Sequence, residues 1–253
     1  MKFAKNLIAV TAFVATGVAS AAAVTVPANT AFNGLSFSGS GALSFSADLL
    51  GALDTGKVTV ANYGSATTSV LKDTDGYYAS VTASAPITAL TIDSTNYAVL
   101  SAATTGGATQ TAPVLKSVSS GGSLTVTDIQ ADLTSKTIYA TIIGGNGVGT
   151  ITNFALWNYS TLVGPTSYTG PGQYVDDISG LSLTTDGAAK FSASLGLLNL
   201  GKAALNGIAD YGTIHSVINT TLVLAPDVPE PSTYALMGLG LVGIAFAARR
   251  KSA

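Results

Sequence analysis

From Leu35 the chain alternates apolar and polar positions: Leu35, Phe37, then Leu43, Phe45, Ala47 and Leu49, with Ser, Gly and Asp between them. A period of two is the mark of a strand with one buried face. Comparable stretches recur at Val58–Ala61, Tyr77–Ala83, Ile87–Ile92, Tyr97–Leu100, Leu124–Val126, Thr137–Ile143, Phe154–Trp157, Leu181–Leu183, Phe191–Leu197 and Ile214–Leu224, rich in Val, Ile, Thr and aromatics. Turn chemistry separates them at Asp54-Thr55-Gly56, Asp75-Gly76, Gly121-Gly122, Asn146-Gly147 and Asp186-Gly187. A helix is expected only around Leu200–Ala209. The pattern predicts an all-β, antiparallel β-sandwich over residues 24–227. A weak echo between Gly41–Leu49 and Gly122–Leu133 raises the alternative of two similar halves, divided within Thr104–Gly122.

The two ends follow a different logic. Lys2 and Lys5 precede an apolar core, Leu7–Val18, that is too short for a permanent membrane span, and small residues follow at Ala19-Ser20-Ala21 and Ala21-Ala22-Ala23. This is the layout of a signal peptide over residues 1–23, cut by signal peptidase before Ala22 or Val24. At the other end, Val228-Pro229-Glu230-Pro231-Ser232 leads into an apolar run, Thr233–Ala248, and then Arg249, Arg250 and Lys251. The two prolines forbid helix until after Pro231. Sixteen residues of helix would rise roughly 24 Å, slightly short of a hydrocarbon core, and the basic cluster belongs on the cytoplasmic side. Glycines 238, 240 and 243 weaken that helix, as suits a temporary stop.

Pro229-Glu230-Pro231, Ser232-Thr233, the short Gly/Ala/Leu-rich segment and the terminal Arg249-Arg250-Lys251, in that order, resemble the PEP-CTERM sorting signal of Gram-negative bacteria. The resemblance spans residues 228–253. It implies processing near the Pro-Glu-Pro element by an exosortase, transient anchoring through the C-terminal helix, and release to the cell surface or extracellular matrix. It also implies an association with biofilm or exopolysaccharide.

Composition narrows what the central part can do. Charged residues are 9% of the chain, and between Val24 and Asp227 there are six Lys, twelve Asp, no Arg and no Glu, a net charge of −6. No basic patch exists to neutralise phosphates, which argues against nucleic acid as a partner. The chain has no cysteine, so disulfides, thiolate metal sites and a lipid-bearing cysteine are excluded. At 47% apolar it is too hydrophobic for an intrinsically disordered chain.

Catalytic patterns are poorly represented. Gly51–Lys57 has the outline of a phosphate-binding loop, but Val58 stands where Ser or Thr must hold magnesium, so a hairpin turn is expected there. Gly144–Gly149 has the wrong spacing for a dinucleotide loop. His215 is the single histidine, and no Gly-x-Ser-x-Gly elbow occurs. With no Glu in the domain, a glycosidase would need two Asp; Asp176 and Asp177 are adjacent, and neighbours on a strand point to opposite faces. Asp73-Thr74-Asp75-Gly76 offers alternate carboxylates for calcium, without the Glu that completes an EF-type loop. Trp157, Tyr159, Tyr168 and Tyr174 lie in a stretch containing Pro165 and Pro171, the kind of loop that carries sugar-binding aromatics. The expectation is therefore a non-enzymatic surface or matrix protein without a cofactor. A carbohydrate- or calcium-binding module is the alternative, and a secreted polysaccharide hydrolase the second alternative.

Overall fold

A computed structural model describes residues 22–223 together with Leu236, Met237 and Leu239. The signal-peptide core, the sorting residues Pro229, Glu230, Pro231 and Ser232, and the basic tail Arg249, Arg250 and Lys251 lie outside the described residues. No helix among the described residues is long and apolar enough to cross a membrane.

Fourteen strands and three helices are described, and every strand pairing is antiparallel. The all-β reading holds, but the strands do not divide into two separate sheets. β5 (Tyr78–Asp93) is 16 residues long and belongs to two groups. Its first half pairs with β2 (Leu35–Phe45) and β4 (Thr67–Lys72). Its second half pairs with β1 (Ala23–Pro27) and β6 (Val99–Thr104). From β2 the sheet continues through β14 (Gly212–Leu222) and β12 (Gly172–Ser179) to β11 (Thr161–Val163). From β6 it continues through β8 (Ser119–Asp132), β9 (Thr137–Gly144) and β10 (Gly149–Asn158) to β13 (Ser182–Leu183). β7 (Gly107–Leu115) pairs with β8 and carries β3 (Thr59–Tyr63) on its other edge. Most of the Thr104–Gly122 stretch is therefore strand, and β7 within it is bonded to both β3 and β8.

The inner faces of the two groups meet in one core. Leu43 and Ile214 of the first group bury with Leu124, Ile138 and Ile142 of the second. A second, smaller cluster unites Val26, Phe37, Leu90 and Ile218.

Two helices replace expected strand. α1 (Ala47–Thr55) occupies the end of the alternating run and most of the expected hairpin turn. Ser46 caps it by accepting a hydrogen bond from the Leu49 amide at 3.1 Å, and Leu49, Leu50 and Leu53 are buried. Apolar positions 49, 50 and 53 share a helix face, a spacing that the preceding period of two masks. α2 (Thr185–Ser194) begins at Thr184, whose hydroxyl accepts from the Gly187 amide at 2.9 Å, so Asp186-Gly187 is a first helical turn. Phe191, expected on a strand, is buried on this helix. α3 (Asn199–Asn206) falls where the sequence placed its only helix.

Candidate ligand site

After β11 the chain crosses from Gly164 to Pro171 before entering β12. This crossing is fastened at several points. The Val99 amide donates to the Thr166 carbonyl at 2.7 Å, and the Gly170 carbonyl accepts from the Thr220 hydroxyl at 2.6 Å and the Tyr174 hydroxyl at 3.0 Å. Tyr168 and Tyr174 meet with ring centroids 4.6 Å apart at 42°.

The Tyr168 hydroxyl donates to Asp176 Oδ2 at 2.6 Å. Asp176 points inward from β12, is 8% exposed, and its Oδ1 is buried without a hydrogen-bond partner. Burial pushes its carboxyl above the usual carboxylate range, with the neighbouring Asp177 adding to the effect and the Tyr168 hydrogen bond opposing it. Burial and the adjacent carboxylate raise the Tyr168 phenol in turn. Asp177 points the other way, where its Oδ1 meets His215 Nδ1 at 2.7 Å on the outer face. The strand pleat thus separates the two aspartates, and they do not form a catalytic pair.

Tyr168 also walls an open cleft of about 230 Å³, together with Val26, Phe32, Phe37, Tyr97 and Thr220. Tyr97 sits at φ 60°, a conformation that costs a bulky residue of order 1 kcal/mol or more. The turn before it supplies the restraint. Asp93 Oδ1 accepts from the Thr95 amide at 2.8 Å and the Thr95 hydroxyl at 2.6 Å, and Asn96 Oδ1 accepts from the Ala98 amide at 2.9 Å. The Thr95 hydrogen bonds hold the Asp93 carboxyl below its ordinary range, so it is ionised. Tyr97 is 39% exposed. All twelve residues that line the cleft are uncharged.

The other sequence candidates fall elsewhere. Trp157 and Tyr159, at 4% and 5% exposed, are packed in the main core. Asp73 Oδ1 closes its own turn, accepting from the amides of Asp75 at 3.0 Å and Tyr77 at 2.8 Å. No group of three or more His, Cys, Asp or Glu able to hold a metal occurs among the described residues. Of the four aromatics singled out in the sequence, the structure unites Tyr168 and Tyr174. Phe32 and Tyr97 were missed; the Asp93-Ser94-Thr95-Asn96 cluster before Tyr97 is a turn signal, obscured by reading Tyr97 into a strand.

Fold and site together define an antiparallel β protein with an uncharged aromatic cleft. Residues 227–251 match the family model of the PEP-CTERM protein-sorting motif, so the chain carries that motif. The motif implies export, transient anchoring at the membrane and processing by an exosortase. No curated protein and no solved structure matches the chain.

Proposed function

We propose that this protein is an exported, non-enzymatic component of the cell surface or extracellular matrix, held there through contact with exopolysaccharide. The sorting motif at residues 227–251 carries the reading. It is supported by the charged, apolar and small-residue zones of the N-terminus, which have the order of a signal peptide. A central domain with few charges and many hydroxyls is suited to a hydrated polysaccharide. The test is co-fractionation in the native host. The protein is expected in the washed polysaccharide matrix and is expected to leave it when the polysaccharide is enzymatically digested. Protein that stays in the inner membrane with or without the matrix would sink the reading.

A second reading, a carbohydrate-binding module, is favoured by the cleft itself: aromatic walls at Phe32, Tyr97 and Tyr168, an uncharged rim, and a size below the roughly 300–1,000 Å³ of drug-sized pockets. Calcium at Asp73 and Asp75 is the remaining part of that reading. Chelator is then expected to lower the melting temperature, and an unchanged melt removes the ion.

A further inference from the structure

Tyr168 is the common wall of two spaces. On one side lies the open cleft, with about 230 Å³ of room, the volume of about eight waters and enough for one hexose-sized ring. On the other lies a smaller space of about 50 Å³, lined by Asp176, by apolar side chains that include Ile87, Val99 and Ile218, and by the hydroxyl residues Thr104, Thr166 and Ser216. Asp176 is more than nine-tenths buried, one of its oxygens has no partner, and the other accepts the Tyr168 proton. A buried carboxylate without a counter-charge is costly unless something cationic comes near it.

The cleft is arranged to bring such a charge. Its lining contains no Lys, Arg or His that would repel a cation. Asp93, in the turn that precedes Tyr97, is ionised. Phe32, Phe37, Tyr97 and Tyr168 give it aromatic walls, and aromatic faces attract ammonium groups through their quadrupoles. By donating its proton to Asp176, Tyr168 gains electron density in its ring, which strengthens that attraction.

We propose that the Tyr97–Tyr168 cleft binds a protonated amine carried on a sugar-sized ring: an amino-sugar unit with a free ammonium, rather than a neutral or N-acetylated one. The proposal rests on the carbohydrate-binding reading and specifies the glycan chemistry. The ring occupies the aromatic cleft, its C–H faces pack on Tyr97 and Phe32, and its ammonium lies against the Tyr168 ring that Asp176 polarises. Within the matrix, the ligand would be the de-N-acetylated units of a polymer.

The experiment is ligand titration of the full chain in a non-ionic detergent, followed by protein NMR or calorimetry. Glucosamine at pH 6, N-acetylglucosamine and glucose are the probes. Glucosamine is expected to bind at least tenfold more tightly than the other two. Tyr97→Ala and Asp176→Asn should each weaken it by about tenfold, while Tyr77→Ala, an exposed aromatic outside the cleft, should not. Equal binding of all three sugars overturns the ammonium assignment but leaves the carbohydrate reading standing. No binding by any of them overturns both. Unaltered glucosamine binding by a folded Tyr97→Ala and a folded Asp176→Asn moves the site elsewhere and also overturns the proposal.

Discussion

Asp176 shows how one side chain can set a pH response for the whole domain. Its carboxyl is raised in the fold from an ordinary value of 3.8, so the native state holds more protons than the unfolded chain as pH rises through that window. Stability contributed by this group is present at low pH and is lost as pH climbs past the folded value. Asp176→Asn keeps an oxygen for the Tyr168 hydroxyl and removes the charge. It is predicted to raise the melting temperature at pH 7 by roughly 2–4 °C, about 1 kcal/mol, with the gain shrinking toward pH 4. Calorimetric melts across that range check it, and an equal loss at every pH would contradict it. Gly106 is a second sensitive position. It adopts φ +83°, and a Cβ there would lie 2.5 Å from the Ala66 amide nitrogen. Gly106→Ala is therefore predicted to cost more than about 1 kcal/mol, read as a lower denaturation midpoint.

Among the elements, the ends of α1 and β1 are the most exposed to test. Ser46 both caps α1 and donates its hydroxyl to the Asp210 carbonyl, which ties the helix to the approach of β14. Ser46→Ala is predicted to cost about 1–2 kcal/mol in chemical denaturation. β1 is bonded along one edge only, to β5, with Ala23 opposite Asp93 and the Ala22 carbonyl accepting from the Ser94 amide at 3.1 Å. A mature chain that begins at Ala22 is predicted to melt above one that begins at Val24, by about 1 kcal/mol, because the shorter form lacks both contacts. Much at this scale was legible in the sequence. The alternation at Leu35–Phe45 and Thr137–Ile143 gave β2 and β9, and the opposed directions of Asp176 and Asp177 followed from the pleat. α1 and α2 were misread because each is short, and their capping residues Ser46 and Thr184 look like ordinary hydroxyls in a chain full of them. β7 was missed because its Gly, Ala, Thr and Gln leave almost no amphipathic signal; what makes it a strand is pairing with β3 and β8. Of the cleft aromatics, Tyr168 alone was a candidate in the sequence; Phe32, Phe37 and Tyr97 reach the cleft only through the fold.

The whole molecule joins a domain of low charge to a tail that carries an address. One long strand, β5, serves both groups of strands, so the domain is built as a single hydrogen-bonded unit without a disulfide. The cleft draws on strands from both ends of the described chain, Val26 of β1 and Thr220 of β14, so it depends on the sheet being complete. β14 ends at Leu222, only a few residues before the sorting motif begins at residue 227. That short tether would hold the domain close to the membrane until the motif is processed. The most direct test of sorting is the intact mass of the protein recovered from the medium, the cell surface and the membranes of its own host. A species that starts at Ala22 or Val24 and ends near Pro229–Ser232, found outside the cell, is the predicted result. A species retained in the inner membrane with Lys251 and the residues after it still attached would contradict processing by an exosortase and leave the tail an ordinary anchor.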